Sequence, residues 1–440
     1  LAYLTAFHGQ GWLILLVPGL LARAMFGLSL LRKCLVSALW GVLFTGLFHT
    51  WALNKGWQLW CCLLVLKGLP WALLPLPSGL ARAERRPLFV QALAFGTGFG
   101  LVAGLHIWGP SGFDWETPMA ALAVWPWCLA TLPWLGLPGA ALLMATCSYL
   151  LFSGHRQSGA AGAFVLVFWA GLSGLLYTEA AKATPNVALS DIALVQTGWS
   201  DNTKWKVDNR ELAVGRLFRL SEQARARGAR LVIWPEMAWP TANLRQQVDQ
   251  ARQVGALARR LEIDLLASSL EKTPKGWYNS ATLVTPTGRF ALEYRKRRLI
   301  PVQEYLPLPK VLERLLRERG WVLSSCHYLA GEQDVVFALG PSRYAVLICY
   351  ESVVPWPAVR VGDQVDFLVV MANDSRLNSE FAREAHFRSA VLRAAELRLP
   401  VFQAANDGVS GVIDHRGVVL SRTNRGFQGA AVMMLAPEGR

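Results

Sequence analysis

Tyr344-Ala-Val-Leu-Ile-Cys349-Tyr350-Glu351-Ser352 is the stretch on which the reading of this chain turns. An apolar, partly β-branched run ends in a cysteine that is followed by aromatic and acidic groups. Such a run predicts a buried strand that carries a thiol to its end, where the chain opens into a loop. A rigid strand fixes a sulfur in space, and the turn after it can aim a backbone N–H, here that of Tyr350, at a developing oxyanion. Packing is the plain alternative, because cysteine is among the most buried residue types and is usually inert. What decides between the two lies elsewhere in the chain.

The bulk composition points to a bilayer. The 440 residues are 53% hydrophobic and only 17% charged, with a mean hydropathy of +0.30. Soluble proteins carry about a quarter charged residues. The 19 tryptophans agree, since Trp concentrates at membrane–water interfaces. A net charge of +14 suits anionic lipid and basic cytoplasmic loops. No basic low-complexity tail or nucleic-acid motif accompanies it, so nucleic acid is not an expected partner. The seven cysteines, at 34, 61, 62, 128, 147, 326 and 349, are odd in number and irregular in spacing, which argues against a disulfide framework. Cys326-His327 lacks a second pair of ligands at metal spacing, and neither metal nor cofactor is expected. The chain begins at Leu1 rather than Met, so residues are expected to precede it.

Hydrophobic runs fill the first 180 residues. Spans are expected near 11–29, 35–54, 58–79, 87–108, 136–152 and 159–178, each close to the ~20 residues a helix needs to cross the hydrocarbon. Segment 116–134 is apolar but holds Pro118, Pro126 and Pro133, which predicts an interfacial or broken helix. Arg32-Lys33, Arg82, Arg85, Arg86 and His155-Arg156 mark cytoplasmic loops, so the chain after Ala180 is expected outside. Arg23 and Lys67 lie in or near apolar runs. Snorkelling to a headgroup is the default expectation for such long side chains, and satisfied interfacial histidines the default for His49 and His106.

Composition shifts sharply at 180–190, placing a transmembrane domain at 1–184 and a polar domain at 185–440. In the polar domain strands are expected at 191–196, 230–235, 264–268, 278–285, 289–295 and 367–372, and several short ones within 400–434. Helices are expected at 207–228, 241–261 and 379–398. Near-continuous apolar strands alternating with helices argue for an α/β domain with helix-covered sheets. Two further strand ends resemble the cysteine's. Leu231-Val-Ile-Trp234-Pro235-Glu236 ends in a carboxylate, and Tyr294-Arg-Lys296 leads through Pro301 to Glu304-Tyr305. The three side chains make chemical sense together. A glutamate takes the thiol proton, and a lysine ammonium steadies the thiolate and the tetrahedral oxyanion. Taken singly, Glu236 reads equally well as a helix-start carboxylate and Lys296 as one of the basic residues 295–298 on a solvated face.

Taken together, these motifs resemble the Glu–Lys–Cys signature of the nitrilase superfamily. With the preceding spans they resemble its membrane-bound branch, the apolipoprotein N-acyltransferases. Tyr278-Asn279-Ser280-Ala281, Ala372-Asn373-Asp374-Ser375, His386, Arg393 to Glu396, Asn406-Asp407-Gly408 and Val412-Ile413-Asp414 agree in order, as does Gly11-Trp12-Leu13 through Pro18. The resemblance implies a nitrilase-like αββα sandwich preceded by a bundle of transmembrane α-helices. It implies an inner-membrane location and a catalytic domain facing the periplasm. Glu236 would be the general base, Lys296 the oxyanion stabiliser and Cys349 the nucleophile. Glu304 would position the lysine, while Tyr350 and Glu351 would support the site. Trp234, Trp239 and the loop 305–309 are expected to line an acyl groove, with packing the alternative, and Tyr278, Asn279 and Asn373 to contact substrate. Residues 303–330 are expected to gate entry. The implied partners are a phospholipid acyl donor, a diacylated apolipoprotein acceptor and the bilayer itself, with acyl transfer by a ping-pong route through a thioester.

The chain departs from that pattern at Arg376-Leu377, where the family usually has an aromatic pair, and at Val302-Gln303, where Phe-Gly is usual. It also ends at Arg440 without a further span, which suggests a truncated chain or a divergent branch such as the TraB-type conjugal-transfer proteins. A membrane-anchored C–N hydrolase or amidase uses the same three residues, and a non-enzymatic envelope or conjugation factor keeps only the fold.

Overall fold

The computed structural model of the protein describes residues 8–109, 112–152, 158–183, 188–199, 203, 205–301, 303–305, 314–315, 318–319, 328–424, 427 and 429–436. The chain divides into two compact units, Leu1–Thr184 and Pro185–Arg440.

The first unit contains α1 (Val17–Met25), α2 (Leu30–Phe48), α3 (Trp57–Leu63), α4 (Leu76–Leu80), α5 (Leu88–Trp108), α6 (Pro118–Leu122), α7 (Leu132–Phe152) and α8 (Ser158–Ala180). Five helical segments among the described residues are long and apolar enough to cross a membrane: Leu30–Phe48, Trp57–Arg85, Leu88–Trp108, Leu132–Phe152 and Gly159–Ala180. The second of these is not one α-helix, as residues 58–79 suggested. After α3 it passes through a π-helical turn, Leu64–Gly68, and a 3-10 turn, Leu69–Leu73, before α4. Pro70, Pro75 and Pro77 cause this, since each lacks an N–H and crowds the preceding turn. Segment 116–134 is broken, as its prolines predict, into α6 and a 3-10 turn at Pro126–Leu129. Small residues let the backbones approach closely. A Cβ on Gly98 of α5 would lie 1.9 Å from the Leu74 carbonyl oxygen, so only glycine fits there.

Lys67 does not snorkel. Its side chain is fully buried, and its ammonium donates to the carbonyls of His106 and Phe113 at 3.2 and 3.1 Å. Glu116 lies 3.8 Å from it, and the same carboxylate accepts from His49 Nε2 at 2.6 Å and sits 3.3 Å from His106 Nδ1. Burial opposes ionisation of Glu116, but Lys67 and His49 outweigh it and hold the carboxyl at about 2. The snorkelling expectation failed because it considered one side chain, whereas tertiary packing supplies a counter-charge about 50 residues away in sequence. Glu116→Gln strands Lys67 as a buried, unpaired charge. It is expected to cost about 3–5 kcal/mol, read as an earlier thermal unfolding midpoint in detergent; an unchanged midpoint would show that the pair contributes nothing.

Among its described residues the second unit has twelve strands in two six-stranded sheets. In chain order they are β1 (Ile192–Gln196), β2 (Leu231–Ile233), β3 (Asp264–Thr273), β4 (Gly276–Val284), β5 (Phe290–Arg295), β6 (Val336–Leu339), β7 (Ser342–Ile348), β8 (Phe367–Ala372), β9 (Val401–Ala405), β10 (Gly411–Ile413), β11 (Val419–Arg422) and β12 (Ala431–Met433). One sheet runs β12-β1-β2-β3-β4-β5 and the other β11-β10-β9-β8-β7-β6. In each, three central strands are parallel and the flanking ones antiparallel. The unit also contains helices α9 (Arg210–Ala226), α10 (Val248–Leu261), α11 (Pro355–Gly362) and α12 (Glu380–Leu397).

Strand alternation builds the layers. Leu231 and Ile233 of β2 enter a core shared with Tyr344, Val346 and Ile348 of β7, between the sheets. Val232 and Trp234 face the other way, into a core with Leu217 of α9 and Leu257 of α10. On the second sheet α12 packs against β9 and buries Phe387, Val391 and Leu392. The result is the αββα sandwich expected from the sequence. Helix α10 starts later than residue 241 because Asn243 adopts a left-handed φ of 61° and accepts the Lys272 N–H through its side chain at 2.5 Å.

Candidate active site

Glu236 follows β2, Lys296 follows β5 and Cys349 follows β7. In α/β sheets such carboxyl ends are where side chains are free to converge. Here they do. Lys296 Nζ lies 3.5 Å from Glu236 Oε1 and donates to Glu304 Oε1 at 2.8 Å. Glu304 keeps its place because its other oxygen accepts the Ile300 N–H at 2.7 Å. Asn279 ties two members together. Its side-chain amide donates to Glu236 Oε1 at 2.7 Å, and its carbonyl accepts the Lys296 N–H at 2.8 Å. Asn406 adds a third restraint by donating to the Glu236 carbonyl at 2.6 Å. Glu236 is 4% exposed and Lys296 is fully buried, whereas Cys349, taken as a whole residue, is only partly buried.

Glu351 joins the cysteine strand to the lysine strand. One of its oxygens accepts from Tyr294 Oη at 2.7 Å and from the N–H groups of Arg297 and Arg298 at 2.8 and 3.0 Å. The other accepts from the Ile348 N–H at 2.8 Å. The sheets that carry Lys296 and Cys349 are thereby locked together through one fully buried carboxylate. Burial nevertheless pushes its pKa above the usual carboxylate range.

The electrostatics of the sulfur and the ammonium differ. Burial, then the Glu236 carboxylate, push the Cys349 thiol well above its ordinary value, with Lys296 pulling the other way. Burial works to lower the Lys296 pKa, but Glu304, Glu236 and the nearby sulfur outweigh it and keep the amine charged. A thiol beside a carboxylate can give its proton to it, and an ammonium can stabilise negative charge developing next to it.

Of the other expected site residues, some are brought here and some are not. Tyr350 is buried in the 3-10 turn Cys349–Ser352. Asn373 ends β8 beside the cysteine strand, one residue before Asp374, and its side chain accepts from Ser375 Oγ at 2.8 Å. Trp234 and Trp239 do not line a groove. They stack on each other at 6.0 Å inside the core between sheet and helices, and Trp234 Nε1 donates to Ser221 Oγ at 3.0 Å. The pleat is the reason: Ile233 faces the inter-sheet core, so Trp234 must face the helices. Tyr278 is likewise turned away from the triad. Asn279 shares the face of Ala281, while Tyr278 points to the opposite face and meets the Arg295 guanidinium at 4.4 Å. Residues 306–313, 316–317 and 320–327, most of the expected gate and of the loop 305–309, lie outside the described residues, as do Val302 and Cys326-His327.

Three contributors to the site, Asn406, Asp374 and His386, were visible in the sequence only as matching pieces. Asn406 carries no chemistry by type, and its role follows from meeting the Glu236 carbonyl. Asp374 and His386 bond to each other at 2.6 Å, and with the Cys349 sulfur they form a set of donor atoms all within 4.8 Å. Three donors fall one short of a closed tetrahedral zinc site. Both ring nitrogens of His386 are already engaged, Nδ1 with Asp374 and Nε2 with the Cys349 carbonyl at 3.1 Å, so a cation would have to break a bond to enter.

Residues 191–435 match the family described as carbon-nitrogen hydrolase, over half of the chain. The chain is 31% identical over 240 residues to an apolipoprotein N-acyltransferase of Geobacter metallireducens, covering 53% of this chain and 45% of that protein. It is 27% identical over 396 residues to the apolipoprotein N-acyltransferase of Brucella melitensis, covering 81% and 70%. It is 28% identical over 359 residues to that of Azotobacter vinelandii, covering 78% and 66%. The chain thus spans from under half to 70% of the length of these relatives. Among solved structures, an amidase of the nitrilase superfamily from Nesterenkonia aligns at 18% identity with a TM-score of 0.43, covering 58% of this chain and 94% of the amidase.

Proposed function

The chain belongs to the carbon-nitrogen hydrolase family, and from that premise we propose that it is a membrane-bound N-acyltransferase working through a Cys349 thioester. The donor is a phospholipid acyl ester, and the acceptor is the α-amine of a diacylglyceryl-cysteine at the start of an apolipoprotein. The domain that carries the triad lies outside the bacterial inner membrane. The observation that carries this reading is a buried Glu236–Lys296 pair beside a partly buried Cys349, in a chain whose described residues include five helical segments apolar enough to span a bilayer. Relatives named apolipoprotein N-acyltransferase support the choice of a lipid donor and an amine acceptor.

The steps balance. Glu236 removes the Cys349 proton as Sγ attacks the ester carbonyl, and the oxyanion that forms lies against the Lys296 ammonium. Collapse breaks the ester C–O bond, and protonated Glu236 returns the proton to the departing lysophospholipid oxygen. The acceptor amine then attacks the thioester. Its proton passes through Glu236, the C–S bond breaks, and the sulfur regains a proton. A thioester suits the task because it forms readily from an ester yet reacts readily with an amine.

The test is to incubate purified protein in detergent with phosphatidylethanolamine labelled in its acyl chains, and to search by mass spectrometry for the acyl mass on the Cys349 peptide. The expected result is an adduct that disappears when a diacylated lipopeptide is added and reappears on the lipopeptide amine. Absence of any adduct would sink the acyltransferase reading. An adduct lost to water alone would convert it to a C–N hydrolase type of turnover.

A further inference from the structure

The proposed steps leave two buried polar side chains without a task. Asp374, in the 3-10 turn after β8, is fully buried, and His386, on α12, is 2% exposed. Asp374 Oδ1 accepts from His386 Nδ1 at 2.6 Å. The opposite ring nitrogen, Nε2, lies 3.1 Å from the Cys349 carbonyl oxygen and 3.1 Å from Ser352 Oγ. Ser352 Oγ donates to the same carbonyl at 2.9 Å. The Cys349 main chain is thus gripped from two sides.

That main chain needs a grip. Cys349 has a φ of +52°, in the left-handed region that side-chain-bearing residues enter only when their surroundings impose it. Its carbonyl is the point where the strand turns into the 3-10 turn Cys349–Ser352. Fixing that carbonyl fixes ψ, and with φ it sets where the Cα–Cβ bond sends the sulfur. The clamp itself stands on rigid supports. The α12 residues around His386 are buried on all sides from Ala382 to Ala395, and the loop at Gly408 closes so tightly over Asp374 that a Cβ there would lie 2.3 Å from Oδ2. By holding Nδ1, Asp374 sets the orientation of the imidazole and presents Nε2 to the carbonyl, as carboxylate partners do for histidines elsewhere.

We propose that Asp374 and His386, with Ser352, are a positioning pair that pins the Cys349 carbonyl and holds the sulfur between its base and the Lys296 ammonium. This rests on Cys349 being the nucleophile, as proposed above, but not on which acyl group it takes. Burial works against charge on His386; Asp374 and the Cys349 carbonyl outweigh it and raise the pKa, which strengthens the bond from Nε2.

The test reads the thiol directly. Second-order alkylation of Cys349 by iodoacetamide is followed on its own peptide by mass spectrometry, beside kcat and KM for acyl transfer, in His386→Ala, His386→Gln and Asp374→Asn proteins. Glutamine keeps an N–H donor where Nε2 stood, and asparagine keeps the volume of Asp374 without its charge. His386→Ala is expected to slow alkylation and kcat by about ten- to a hundredfold while KM changes less than about threefold. His386→Gln is expected to recover most of that loss, and Asp374→Asn to fall between. Should His386→Ala not fold, the contrast between His386→Gln and Asp374→Asn decides. Unchanged Cys349 alkylation in folded His386→Ala or Asp374→Asn protein overturns the proposal, as does a folded His386→Gln no more reactive than Asp374→Asn. If the wild-type thiol alkylates but never acylates, the acyl-transfer reading fails while the alkylation series still decides the positioning role.

Discussion

Cys349→Ala is expected to abolish both the acyl adduct and the transferred product, a loss of at least about 10⁴-fold, while leaving the fold intact. The other described cysteines all lie in the first unit, whereas Glu236, Lys296 and Cys349 lie together in the second. Alanine is also a fair structural control. It removes one sulfur at a partly exposed position, and it tolerates the φ of +52° no better and no worse than cysteine. The unfolding midpoint in detergent should therefore stay where it is. Persistent acyl transfer by folded Cys349→Ala protein would remove the thioester from the mechanism and favour an assembly factor that keeps the fold alone.

Glu236→Gln is expected to produce the second-largest loss, about 10²- to 10⁴-fold in acylation at neutral pH, with a change in pH dependence that identifies the cause. Burial raises the Cys349 pKa well above the ordinary thiol, so at neutral pH almost none of the sulfur is thiolate. Under the proposed mechanism the wild type does not depend on that fraction, because Glu236 would take the proton during attack. Without the base, only preformed thiolate reacts. Below the thiol pKa its fraction grows about tenfold per pH unit, so the variant's rate should rise with that slope as pH increases while the wild type stays flatter. Glutamine also removes the negative charge that helps raise the thiol pKa, which shortens the climb without changing its direction. The amide still fills the site next to Asn279 and Lys296, so a melting curve near that of the wild type is expected. Acylation that is slow but flat with pH would show that Glu236 acts on position rather than on the proton.

Much of the site was legible because its chemistry is written in residue types at strand ends. A carboxylate, an amine and a thiol, each following an apolar run, are unusual enough together to single out Glu236, Lys296 and Cys349, and Glu304 follows from its closeness to the lysine in sequence. Tyr278 and Asn279 show where such reading overreaches. Neighbours on a strand point to opposite faces, so only one of them was ever able to meet the triad. That constraint was available from the sequence alone. Which of the two faces inward was not.

Trp234, Lys67 and Glu351 mark the boundary more sharply. The alternation of β2 separates Trp234 from Ile233, but nothing in the strand says which side the helices cover. Lys67 reads as a snorkelling side chain until folding brings Glu116 and two carbonyl oxygens to it. Glu351 reads as a neighbour of Cys349 and proves to be the carboxylate that locks the lysine segment to the cysteine strand. The sequence by itself determined the division into an apolar helical half and an α/β half, the strand-end positions of Glu236, Lys296 and Cys349, and the residue types proposed for the chemistry, because these depend on local periodicity and composition. Tertiary structure alone decided which polar groups find each other across the chain, because a buried charge or a strained Cys349 is stable only where distant residues supply its partners.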